Sequence, residues 1–112
     1  MSARPADWPD RLFETLKHGG IRQVSYVPDA GHARLIDRCR ADSDIRDVAL
    51  TTEEEGVAMA AGAWLGGDRA ALLMQSSGVG NCINMLIPLP GIPTLSTTVA
   101  SSSAGMIWRM AF

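Results

Sequence analysis

The sequence is poor in the residues that build metal centres and disulfide frameworks. Of 112 residues two are Cys and two are His. Cys39 and Cys82 stand far apart, with no Cys-x-x-Cys pair and no accompanying His cluster, so the sequence suggests neither a metal site nor a disulfide framework. Two free thiols suit a reducing compartment. Neither sign of charge dominates: 10 Lys and Arg face 12 Asp and Glu, a formal net charge of -2. That balance offers no electrostatic case for nucleic acid or for an anionic membrane surface. Long apolar runs are also missing. The most apolar stretch, Met85 to Leu95, is interrupted by Pro88, Pro90 and Pro93 and is too short to span a bilayer. The opening residues Met1 to Trp8 lack the continuous apolar core of a signal peptide, so the expected compartment is the cytoplasm. What remains is a chain with 46% hydrophobic residues, long enough for one domain with a real core.

Along that chain, helical and strand patterns alternate. Asp7 can cap a first helix that tolerates Pro9 in its first turn, carries Trp8, Leu12, Phe13 and Leu16 on one side, and stops at Gly19-Gly20. Val24 to Val27 reads as a buried strand bounded by Pro28. The turn Pro28-Asp29-Ala30-Gly31-His32 leads into a helix with Leu35, Ile36 and Cys39 facing inward. Asp47 to Thr51 makes a second strand, residues from about Glu53 to Leu65 a third helix ending at Gly66-Gly67, and Ala70 to Gln75 a continuously apolar strand of the kind covered on both faces. The order helix, strand, helix, strand, helix, strand predicts an α/β fold with a doubly wound parallel sheet, whose ligands gather beyond the carboxyl ends of the strands.

Two stretches carry chemistry. Glu53-Glu54-Glu55 opens a helix of small and apolar residues, where unpaired N–H groups and the helix dipole favour negative charge. Such a cluster reads either as an acidic first turn on a core helix or as a carboxyl group poised between water and an apolar wall. Ser76-Ser77-Gly78-Val79-Gly80-Asn81 follows the apolar strand, and its glycines let backbone approach a ligand or a neighbouring subunit. A phosphate cradle fits it poorly: Ile83 stands where Gly-x-Gly-x-x-Gly needs its third glycine, and no Lys-Ser/Thr follows.

These two stretches together resemble the pyrimidine-binding (PYR) domain of thiamine diphosphate-dependent enzymes, in which a Glu lies nine positions before a Gly, as Glu53 does before Gly62. More narrowly, Glu53 to Val57 followed by Met74 to Asn84 is similar to the alpha subunit of sulfopyruvate decarboxylase and to phosphonopyruvate decarboxylase, over roughly Phe13 to Leu86. The resemblance implies decarboxylation of a small 2-oxo acid with thiamine diphosphate as electron sink. It implies Glu53 as the catalytic carboxyl group, bonded to a ring nitrogen of the aminopyrimidine, with Glu54 and Glu55 as alternatives. It implies Ser77, Gly78, Gly80 and Asn81 beside the cofactor. By the same resemblance Asp29, after Val27-Pro28, and more weakly His32 face the substrate; as ordinary residues Asp29 is a turn or N-cap and His32 an exposed first-turn residue.

The family's diphosphate and magnesium motif, Gly-Asp-Gly followed by Asn-Asn, is missing, and Gly67-Asp68-Arg69 is not that motif. The resemblance therefore implies a partner: a pyrophosphate-binding (PP, beta) subunit that holds Mg2+ and the diphosphate, in a hetero-oligomer. Ile92-Pro93-Thr94-Leu95 still looks like the family's fourth strand, and the match is then lost. Residues 7–95 are expected to form an incomplete PYR domain, and 96–112 an atypical Ser/Thr-rich tail with an apolar end, as in a truncated or frame-shifted chain. Two other readings stand beside the enzyme: a non-catalytic remnant whose small-residue helix is a docking face, and a small nucleotide-binding α/β module.

Overall fold

A computed structural model describes residues 8–28, 30–74, 78, 80–82, 96–102 and 105–111. The first helix, α1, runs Trp8–His18 and buries Pro9, Phe13 and Leu16, a spacing that keeps them on one side. It ends where Gly20 takes φ +73°, a conformation that a Cβ would oppose. Strand β1 (Ile21–Tyr26) follows, then a 3-10 turn (Ala30–His32) that leads directly into α2 (Ala33–Ala41). Next come β2 (Arg46–Ala49), α3 (Glu53–Leu65) and β3 (Arg69–Leu73). Between α3 and β3 the left-handed position is Gly67, at φ +91°.

The three strands form one parallel sheet in the order β2-β1-β3. Val24 lies opposite Asp47 on one side and Ala71 on the other, while Tyr26 lies opposite Ala49 and Leu73. Because side chains alternate along a strand, β3 feeds two separate cores. Ala71 and Leu73 join Val24 and Tyr26 against Phe13 and Leu16 of α1 and Leu35, Ile36 and Cys39 of α2. Leu72 and Met74 point the other way, to Leu50, Cys82 and Val57 of α3. Ala70 to Leu73 are all buried, as their continuous apolar run predicts. This is the expected α/β architecture, an open parallel sheet with helices on both faces.

The α3 face of β1 is polar, since Gln23 and Ser25 are buried there; Gln23 Nε2 and Ser25 Oγ find no hydrogen-bond partner among the described residues. Burial of Gln23 also explains why β1 begins three residues earlier than the run of β-branched and aromatic residues predicts. The Ser/Thr-rich segment forms an antiparallel hairpin of β4 (Ser96–Ser102) and β5 (Gly105–Ala111), paired from Ser96 with Ala111 to Ser102 with Gly105. The strand expected at Ile92 to Leu95 lies outside the described residues. Among the described residues no helix is long and apolar enough to cross a membrane.

Candidate active site

In a parallel sheet all three carboxyl ends lie on one rim, where ligands of α/β folds gather. The described residues that leave that rim are 27, 28 and 30–32 after β1, 50–52 after β2, and 74, 78 and 80–82 after β3. Leu50 anchors the second by donating its N–H to the Tyr26 carbonyl at 2.7 Å, and its side chain is buried beneath α3. Helix α3 therefore starts at the rim, and its first residue is Glu53.

The three adjacent carboxylates diverge. Glu55 turns back past the start of its own helix and accepts from the N–H of Thr51, the residue before the N-cap, at 3.4 Å, while Glu54 is exposed. Glu53 is partly buried and reaches across to the segment after β3, where Asn81 Nδ2 donates to its Oε2 at 3.0 Å. The rest of the carboxyl group lies over the Cα of Gly78. A Cβ there would sit 2.7 Å from Oε1 and 2.8 Å from Cγ, which real contacts do not permit. Among the described residues no donor bonds Oε1.

Cys82 closes the floor. Its buried thiol donates to the Gly78 carbonyl at 3.5 Å and lies 4.0 Å from the Met74 sulfur. Burial, and then the negative charges of Glu53 and Glu54, push this thiol up to about 11, so it is neutral and unreactive at physiological pH. Gly56, one turn into α3, is as tightly held: a Cβ there would run into Leu72 Cδ1 and come within 2.8 Å of Leu50 Cδ1. The missing side chain lets the start of α3 settle directly on β3.

The structure thus brings Glu53, Gly78 and Asn81 together, with Gly80 exposed beside them. Asp29 and Ser77 lie outside the described residues. His32 corrects the expectation of an exposed first-turn residue: its exposure is 4%, because the 3-10 turn folds it inward ahead of α2. Sequence reasoning missed Cys82 as a neighbour of the carboxylate, and the signal was there in a small apolar residue directly after the glycine turn. It also missed an open hollow on the α2 side of the sheet, lined by Tyr26, Pro28, Ala33, Ile36, Arg40 and Ala49 among others. There the Tyr26 hydroxyl accepts from Arg40 Nη2 at 3.0 Å and donates to Asp47 Oδ2 at 3.1 Å. Chemically, the Glu53 cluster is a carboxylate with one oxygen held by Asn81 and the other without a donor among the described residues, a group that can exchange a hydrogen bond or a proton.

No family model matches the chain. Curated proteins do. The chain is 33% identical over 96 residues to sulfopyruvate decarboxylase subunit alpha of Methanococcus maripaludis, covering 86% of this chain and 58% of that protein. It is 34% identical over 99 residues to the same subunit of Methanothermobacter thermautotrophicus, covering 88% and 60%. Phosphonopyruvate decarboxylase of Streptomyces viridochromogenes is 41% identical over 70 residues, which is 62% of this chain and 18% of that protein. The chain spans about three-fifths of the length of the first two relatives.

Proposed function

We propose, from the premise that this chain is a homologue of sulfopyruvate and phosphonopyruvate decarboxylases, that it is the PYR subunit of a two-chain 2-oxo acid decarboxylase. Thiamine diphosphate, when bound, supplies the electron sink for loss of CO2. The observation that carries the reading is the Glu53 carboxylate, partly buried at the strand carboxyl ends with one oxygen bonded by Asn81 and the other without a donor among the described residues.

The residues present suit the aminopyrimidine end of that cofactor. Glu53 Oε1, which no donor bonds among the described residues, can bond a ring nitrogen and hold or release a proton there. Gly78 leaves the space that the carboxyl group occupies, and at Gly80 nothing lies within 4 Å of a would-be Cβ, so the backbone there is bare to a flat ring. Ser77 belongs to the cofactor side and Asp29 to the substrate side, while Asn81 bonds Glu53. The diphosphate and Mg2+ fall to a PP-domain beta subunit, and the active site forms between the chains of a hetero-oligomer. Sulfopyruvate and phosphonopyruvate are the substrate classes that the relatives' names suggest. The proposed compartment is the cytoplasm, where thiols such as Cys39 and Cys82 stay reduced.

The test is co-expression with a PP-domain subunit and measurement of CO2 release from sulfopyruvate, phosphonopyruvate and pyruvate. Release that requires both chains, thiamine diphosphate and Mg2+, and that Glu53→Gln abolishes, is the expected result. A stable two-chain complex that releases CO2 from none of the three removes the reading.

A further inference from the structure

We propose that Asn81 is a positioning residue for Glu53: its side-chain amide captures Oε2 and thereby decides that Oε1 is the oxygen offered to the cofactor. The inference rests on the reading above, and it assigns Asn81 a role through Glu53 rather than through contact with the cofactor itself. A glutamate at the start of a helix has three side-chain torsions and would otherwise sweep the rim. The bond from Asn81 Nδ2, at 3.0 Å, ties it to a segment 28 residues away in sequence. Gly78 sets the second constraint, since the carboxyl group lies flat over its bare Cα. One donor and one surface together fix both the position and the rotation of the group.

The choice of an amide has chemical content. A lysine in this place would lock Glu53 into its charged form. Asn81 is neutral and carries a donor and an acceptor on one rotatable group. With Nδ2 toward Glu53 it serves the carboxylate, and turned over it accepts from the carboxylic acid. Glu53 can therefore take up or give up a proton without losing its partner. The titratable groups placed around Glu53 among the described residues are Cys82 from the segment after β3 and Glu54 and Glu55 from its own helix. Asn81 adds no charge to that group.

NMR of the full chain without cofactor tests this. Glu side chains are labelled with 13C, the Glu53 resonances are assigned by their loss in Glu53→Gln, and the couplings that report its side-chain torsions are measured. Wild-type Glu53 is expected to show the couplings of a single rotamer, and Asn81→Ala, which removes the bond to Oε2, those of an average over several. Asn81→Asp, of the same size, is expected to average them too, since a like charge replaces the donor. Unchanged couplings in a folded Asn81→Ala chain overturn the proposal; if that variant fails to fold, unchanged couplings in Asn81→Asp do so. In the two-chain complex, Asn81→Ala is expected to lower kcat about tenfold with little change in KM. An unchanged kcat, or a loss that falls on KM alone, also overturns it. A wild-type complex without activity removes the decarboxylase reading alone, because the couplings still decide the role of Asn81.

Discussion

Gly78 and Glu53 fit each other by what Gly78 lacks: the Glu53 carboxyl group occupies the space where a Cβ of residue 78 would lie, with Oε1 2.7 Å and Cγ 2.8 Å from that point. The atoms displaced by a new methyl group are the far end of a flexible side chain, so the cost falls on the site and not on the fold. Gly78→Ala is expected to lower activity of the two-chain complex about a hundredfold, as a misplacement of about 1 Å does. The melting temperature of the chain should change by only a few degrees. Thermal melts beside the CO2 assay check this, and full activity in Gly78→Ala would show that the observed seat of Glu53 is not the working one.

Two glycines of α3 should respond to the same substitution with opposite signs. Gly56 faces Leu72, fully buried, and Leu50, so Gly56→Ala overpacks a closed core at about 1–3 kcal/mol, more than the helix-propensity gain of about 1 kcal/mol returns. Gly62 is exposed with nothing within 4 Å of its would-be Cβ, and Gly62→Ala should stabilise by about 0.5–1 kcal/mol. Urea denaturation of both variants measures the difference.

Alkaline pH should weaken the fold through its thiols. Cys39 and Cys82 are each pushed from 9.0 to about 11, chiefly by burial and then by nearby carboxylates. A proton held more tightly in the folded state gives stability that is whole below pH 9.0 and is lost as pH rises through about 11. The loss should reach about 1 kcal/mol per thiol by about pH 10. Urea midpoints between pH 8 and that value should fall less steeply in Cys39→Ala and Cys82→Ala than in wild type. At neutral pH both thiols should resist alkylation until the chain is unfolded.

Tyr26→Phe separates stability from the site. The hydroxyl joins Arg40 to Asp47 on the face of the sheet opposite α3, and its removal should cost about 0.5–1.5 kcal/mol. Activity per folded complex should stay at the wild-type level, measured by the same CO2 assay on folded protein.

Helix α3 was legible to the residue because its signals are local: acidic residues at the positive end, and glycine where φ is +91°. The inward residues of α2 were legible from their spacing. The start of β1 was not, since Gln23 is buried by its place in the sheet and not by its own polarity. The hairpin was hidden because the tail was read by its serines, although Thr97, Thr98 and Val99 favour strands. At the site, the Glu53 seat depends on contacts 28 residues apart, which only the strand order can supply. The Glu53 to Gly62 spacing that resembles the family does not mark the close contact of α3, which is made by Gly56.

The strand order has a temporal consequence. A chain emerging from the ribosome carries Glu53 well before Asn81, and β1, α2, β2 and α3 can all assemble while the carboxylate has no partner. Only when β3 docks on the free side of β1 do Gly78 and Asn81 arrive beneath it. Pairing over such sequence separations is slow compared with local helix formation, so it comes late in folding. The Glu53 to Asn81 contact is therefore a marker of β3 docked on β1, and chains that fall short of that docking carry the acidic residue without its observed geometry.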